Sequence, residues 1–137
     1  MALGRFGSMN VLIIEDDDFA RQVSRRLLDN LGVAEVIDVA SGAGAFEHLS
    51  DDDSPIDLII CDIEMPAMIG WEFVYSLRVG EVLRYKDIPV LMFTAADTPK
   101  NVRRGNYNKV DAFLVKPPEL KSLRSQMSAA LGLGHGV

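Results

Sequence analysis

The feature that most limits what this chain can fold into is an alternation that runs five times from Asn10 onward: a short β-branched or aliphatic run, then a longer segment with helical spacing. Alternation of this kind specifies a parallel sheet with crossover helices. The pattern predicts strands at Asn10 to Ile14, Glu35 to Val39, Asp57 to Cys61, Pro89 to Phe93 and Ala112 to Val115. Several are continuously apolar, as strands buried on both faces are. Between them Phe19, Val23, Leu27, Leu28 and Leu31 recur at helical intervals, as do Ala45, Phe46 and Leu49, then Phe73, Val74 and Leu77, and finally Leu120, Leu123, Met127 and Leu131. These read as amphipathic crossover helices. The stretch Pro99 to Asn108 is the weakest, with Val102 its one clear apolar anchor before Tyr107. A short, exposed and mobile helix is expected there, capped by Thr98 and ended by Gly105, Asn106 or Asn108, while Gly32 ends the first helix.

A length of 137 residues fits one domain, and a composition 48% hydrophobic and 25% charged can bury a sizeable core. Fourteen basic against twenty acidic side chains give a net charge of -6, which weighs against capture by nucleic acid or an anionic membrane. The single cysteine, Cys61, makes neither an internal disulfide nor a thiolate zinc cage, and it reads as a buried strand residue. No apolar run approaches the roughly 20 residues that span a bilayer, and no signal segment opens the chain, so a cytoplasmic location is expected. Residues 1–8 lack a periodic pattern and are expected to be a tag or a disordered N-terminus, and 132–137 a flexible tail. With the pattern ending near Leu131, no separate output domain is expected.

Ligands of open parallel sheets bind beyond the carboxyl ends of the strands, at the point where strand order reverses. The residues just past each strand are therefore the informative ones. Glu15, Asp16, Asp17 and Asp18 come after the first, Asp62 after the third, Thr94 and Ala95 after the fourth, and Lys116 and Pro117 after the fifth. Clustered carboxylates repel one another unless a cation compensates, and oxygen-only ligands suit Mg²⁺ rather than zinc. A lysine and a threonine beside them suit a phosphoryl group.

These residues resemble the response-regulator receiver domain of two-component signalling. The resemblance rests on Glu15-Asp16, on Asp62 closing an apolar strand ahead of Glu64-Met65-Pro66 and Gly70, on Thr94-Ala95 and on Lys116-Pro117, and it spans about Asn10 to Leu131. It implies a receiver domain over residues 9–131 with a flavodoxin-like, doubly wound α/β fold of five parallel strands in the order 2-1-3-4-5. It further implies that Asp62 is the phosphoacceptor, receiving a phosphoryl group from a sensor histidine kinase or histidine phosphotransfer protein. Glu15, Asp16, Asp62 and the backbone carbonyl of Glu64 would hold Mg²⁺, with Mn²⁺ a possible substitute. Lys116 would pair with a phosphoryl oxygen, across a cis peptide bond to Pro117 that aims it. Thr94 would take another oxygen, and Phe113 would follow Thr94 inward as the switch. Such a domain is not an enzyme in the ordinary sense, since it assists only its own phosphorylation and dephosphorylation. Its effector would read the fourth helix, fifth strand and fifth helix, where Arg103, Arg104, Tyr107, Lys109 and Lys121 cluster in sequence, and the domain would be a monomer or a phosphorylation-linked dimer without nucleic-acid or membrane contacts.

Some positions depart from the family pattern. Ile69 stands before Gly70 where aspartate is common, Pro118 replaces a common phenylalanine, and Lys109-Val110 replace Gly-Ala. Glu64 and Ala96 occupy positions at which family members tune access of the hydrolytic water. Plainer roles suit other residues. Asp17 or Asp18 caps the first helix, Asp51 to Asp53 form a solvated loop, His48 and His135 are surface residues, Phe73 is core, and Trp71 is partly exposed. An alternative function is a pseudo-receiver, an interaction module that is never phosphorylated, against which retention of Glu15, Asp16, Asp62, Thr94 and Lys116 argues. Asp62-Ile63-Glu64 superficially resembles the Asp-x-Asp of haloacid-dehalogenase-like phosphohydrolases, but those need another motif order. An acidic first loop repels flavin phosphate, and a P-loop motif is missing.

Overall fold

The computed structural model describes residues 5–51, 53–64, 70–95 and 99–133. Met65, Pro66, Ile69, Ala96, Thr98 and His135, for which the sequence raises expectations, lie outside them. Five strands, β1 (Asn10–Ile14), β2 (Glu35–Val39), β3 (Leu58–Asp62), β4 (Val90–Thr94) and β5 (Ala112–Val115), alternate with α1 (Asp18–Asn30), α2 (Gly42–Leu49), α3 (Gly70–Arg78), α4 (Pro99–Tyr107) and α5 (Leu120–Ala130). A short 3₁₀ turn at Leu83–Tyr85 precedes β4. All pairings are parallel, in the order β2-β1-β3-β4-β5.

Alternate residues of the central strands feed two cores. Leu12, Ile14, Ile59, Cys61, Val90 and Met92 meet α2 and α3 through Ala45, Leu49, Phe73, Val74 and Leu77. Val11, Ile13, Leu58, Ile60, Leu91 and Phe93 meet α1 and α5 through Leu28, Leu123 and Met127. Burial on both faces explains the unbroken apolar runs. The third and fourth strands sit one residue later than their spacing predicts. Pro89 has no N–H to give the ladder, so β4 starts at Val90, while Asp57 uses its carboxylate on Asn10 N (2.8 Å) instead of opening β3. Both strands consequently run on to Asp62 and Thr94, which become strand residues with ladder-fixed backbones.

Other expectations need correction. Residues 5–8 are not outside the fold: Phe6 is 1% exposed within the α1–α5 core, and Arg5 donates to Ser128 Oγ at 2.8 Å. Local pattern carries no sign of this, because a lone phenylalanine has no period. At the other end, Gly132 adopts φ 71 and the amide of Leu133 returns to Ser128 O at 2.8 Å, so α5 closes with a glycine-dependent cap. Phe19, counted on the apolar stripe of α1, is 75% exposed and lines a cleft beside Glu15 and Lys116. Trp71 is buried, and His48 is half-buried with Nε2 out of reach of solvent. In α4 the helix stops at Tyr107, directly before Asn108, one of the three expected terminators, while Gly105 lies inside it; the left-handed residue is Lys109 (φ 56), and Val102, expected to anchor the helix, is exposed.

Candidate functional site

β1 delivers Glu15 to the carboxyl edge of the sheet, where its amide donates to Val39 O at 3.0 Å. Asp17 then caps α1, its side chain accepting from Ala20 N at 2.8 Å, so Asp16 is left without a capping task. Carboxylate oxygens of Glu15, Asp16 and Asp62 lie within 4.8 Å of one another. Glu15 and Asp62 are 4% and 5% exposed, and Asp16 faces solvent.

Lys116, from the loop after β5, spans the pair: its Nζ is 2.8 Å from Asp62 Oδ2 and 3.2 Å from Glu15 Oε1. The amide of Glu64 donates to Asp62 Oδ1 at 3.1 Å. Burial, reinforced by Asp62, pushes the Glu15 carboxyl from its ordinary 4.5 to about 7. Burial works against the charge of Lys116, but Asp62 and Glu15 outweigh it and the ammonium is held above its usual range. One ammonium against three carboxylates leaves a net negative hole, open on the Asp16 side.

Glu15, Asp16 and Asp62 offer oxygen alone; the Cys61 thiol lies in the core beneath α2 and α3, where burial pushes its pKa up and keeps it protonated, and it donates a hydrogen bond to Asp62 O at 3.4 Å. Hard oxygen donors with one face open to water suit Mg²⁺ and not a thiophilic metal.

The remaining expected residues surround this centre. Thr94, 1% exposed, ends β4, and Lys116 N donates to Thr94 O at 2.8 Å, tying the two loops together. The Lys116–Pro117 peptide bond is cis. Gly70 opens α3 so close to β3 that a Cβ would stand 2.8 Å from Ile63 Cα and closer still to Asp62 O. Its amide donates to Ile63 O at 2.7 Å, so the glycine lets α3 brace the backbone next to Asp62. Phe113 lies on the edge strand β5, half-buried, with its ring 6.1 Å from that of Trp71 in an edge-on arrangement.

Sequence pattern misses two participants. Asn101 of α4 reaches Thr94 Oγ1 at 3.4 Å, joining the helix to the site. Gly105 forms a notch for Phe113: a Cβ there would lie 2.6 Å from Phe113 Cε2 and closer still to Cζ. A glycine inside a helix, where it costs about 1 kcal/mol, was the available signal. Lys121, with Arg124, lines a groove beside Asn30 and Leu31 at the end of α1. Beside the acidic centre a cleft of about 360 Å³ opens between Phe19, Ala20 and Val23 of α1 and Phe93, Pro117 and Pro118.

The family model for the response regulator receiver domain matches residues 11–128. A chemotaxis protein CheY homolog of Campylobacter jejuni is 27% identical over 128 residues, covering 93% of this chain and 96% of that protein. Chemotaxis protein CheY4 of Vibrio cholerae superposes with a TM-score of 0.81 at 31% identity, over 90% of this chain and 99% of that one. The receiver domain of the histidine kinase CKI1 of Arabidopsis thaliana, solved with Mg²⁺ and BeF₃⁻, gives a TM-score of 0.73 at 27% identity over 88% and 90%.

Proposed function

We propose, from the premise that this chain belongs to the response regulator receiver domain family of two-component systems, that Asp62 accepts a phosphoryl group and that the domain converts it into a changed binding surface. The carrying observation is the convergence of Asp62 with Glu15, Asp16 and Lys116 at the carboxyl edge of the sheet. The site supports Mg²⁺ held by Glu15, Asp16, Asp62 and the Glu64 carbonyl, with Mn²⁺ an allowed substitute; when bound, the metal offsets negative charge on the transferring oxygens.

The Asp62 carboxylate attacks phosphorus and the donor's imidazole leaves, giving an acyl phosphate. Lys116 already sits on Asp62 and keeps one donor for a phosphoryl oxygen. Thr94 supplies a hydroxyl to a second oxygen, and its movement is passed to Phe113, which is half-buried beside α4. The donor is a sensor histidine kinase or histidine phosphotransfer protein, seated where Phe19 and the adjoining cleft offer apolar surface next to Glu15 and Lys116. The effector reads α4, β5 and α5, the elements that border Phe113. The domain works in the cytoplasm; among the described residues no helix is long and apolar enough to cross a membrane.

Titrating beryllofluoride with Mg²⁺ while following the amide resonances of Thr94 and Lys116 tests this reading. Both resonances should shift in the wild type and stay put in Asp62→Asn, a nearly isosteric change that leaves the fold intact. Equal shifts in the variant would remove Asp62 as the acceptor.

A further inference from the structure

Helix α4 meets the rest of the domain without an apolar stripe. Of its nine residues Gly105 is buried, Asn101 is half-buried and the others are exposed, Val102 among them at 40%. Surface helices are ordinarily held by a stripe of apolar side chains. Here the inner face consists of an asparagine and a glycine one turn apart, at i and i+4. With so little apolar surface in the contact, a single hydrogen bond from that face carries weight.

Each of the two touches a residue of the proposed switch. Asn101 Nδ2 donates to Thr94 Oγ1 at 3.4 Å, and Gly105 makes room for the Phe113 ring. Just past the far end of α4, Arg78 of α3 donates to the carbonyls of Asn108 and Lys109 at 3.1 and 2.9 Å, which pins that end. Thr94 is fixed in its backbone, because it ends the β4 ladder and its carbonyl accepts from Lys116 N at 2.8 Å. Its hydroxyl is therefore redirected by rotation about the Cα–Cβ bond, while the strand and the pinned end of α4 stay in place. A bond of 3.4 Å is near the limit of hydrogen-bonding range, so a step to another staggered rotamer breaks it.

We propose that Asn101 is a latch on the resting domain, a positioning residue that holds the Thr94 hydroxyl against α4 and must release it before Thr94 reaches a phosphoryl oxygen. This role rests on the receiver reading of Thr94. Asn101 itself needs no contact with the phosphoryl group. A bond made in the resting state alone opposes the switched state, so its removal raises the apparent affinity for a phosphoryl mimic. Loss of a residue that merely supported α4 would leave that affinity unchanged or lower it.

Asn101→Leu keeps the side-chain volume and removes the donor, and Asn101→Ala removes the donor while favouring the helix. Both variants should bind beryllofluoride in Mg²⁺ about three- to tenfold more tightly than the wild type, the worth of one ordinary hydrogen bond. Mg²⁺ alone should bind all three proteins equally. In a Thr94→Val background the same substitutions should leave beryllofluoride affinity where it was. Without beryllofluoride, the three-bond couplings that report the Thr94 χ1 angle should show one rotamer in the wild type and averaging in the variants. Unchanged or weaker beryllofluoride binding in both variants, a gain that survives in Thr94→Val, or a Thr94 rotamer already averaged in the wild type overturns the latch. A wild type that binds no beryllofluoride at all removes the receiver reading and the latch with it, a result distinct from binding that Asn101 does not alter.

Discussion

Adding one methyl group at Gly105 should disturb the Phe113 ring more than anything else in α4. The backbone of Gly105 is ordinary helix, so alanine meets no conformational penalty there and gains about 0.5–1 kcal/mol of helix propensity. Its Cβ, however, would stand 2.6 Å from Phe113 Cε2, and carbon contacts settle near 3.5–4.0 Å. The ring must therefore move by about 1 Å or leave the notch. Overpacking of this kind costs about 1–3 kcal/mol, and loss of the edge-on contact with Trp71 adds about 0.5–1.5 kcal/mol. The balance is a destabilisation of about 1–3 kcal/mol for Gly105→Ala, read by urea unfolding and accompanied by a change in Trp71 fluorescence. The diagnostic step is a double-mutant cycle. In a Phe113→Ala background the same Gly105→Ala change should reverse sign and stabilise, because only the propensity gain remains. A Gly105→Ala protein as stable as the wild type with unaltered Trp71 fluorescence, or no reversal of sign in the cycle, would refute the reasoning.

Glu15 gives a pH signature in the metal-free protein. Its carboxyl is raised from 4.5 to about 7, so the fold favours the protonated form; that stability is fully present below about 4.5 and is lost as pH rises through 7, a swing of about 3 kcal/mol. In EDTA, Glu15→Gln should accordingly raise Tm at pH 8 and change it little at pH 5, while Mg²⁺ stabilises the wild type more than the variant. Lys116→Ala strands two buried carboxylates and should cost about 2–4 kcal/mol in EDTA, with Mg²⁺ restoring most of the loss, and impair the phosphate-induced shifts more than metal binding; a variant that no longer responds to Mg²⁺ would contradict this. Arg78 ties α3 to the loops around β4 and β5 by donating to the carbonyls of Lys86, Ile88, Asn108 and Lys109 at 2.7–3.1 Å. Lysine cannot reproduce that fork, so Arg78→Lys should lower stability by about 2–4 kcal/mol in denaturant unfolding.

Periodicity and strand-end chemistry make the sheet and the acidic centre legible in the sequence. Glu15, Asp62, Thr94 and Lys116 stand out because each follows or ends an apolar strand, and the topology of parallel sheets brings such ends together. Tertiary effects are invisible to the same reading. Phe6 looks like part of an unpatterned leader because nothing local shows that the gap between α1 and α5 needs a ring. Trp71 looks half-exposed because helical spacing does not reveal that Phe113, from a distant strand, packs against it. Gly105 passes for a helix end because a glycine's use as empty space depends on a ring from another strand. Asn101 carries no motif at all, and only the approach of α4 to β4 gives it Thr94 as a partner. The one-residue offset of β3 and β4 has a local cause, the missing N–H of Pro89 and the carboxylate bond of Asp57, which spacing alone passes over.

The central claim is that Asp62 is a Mg²⁺-dependent phosphoacceptor, and intact-protein mass after incubation with acetyl phosphate tests it most directly. Wild type and Asp62→Asn are compared with and without Mg²⁺. The account predicts a single phosphoryl adduct in the wild type that requires Mg²⁺ and disappears in the variant. A folded wild-type protein that gains no adduct, or an adduct that persists in Asp62→Asn, would contradict it.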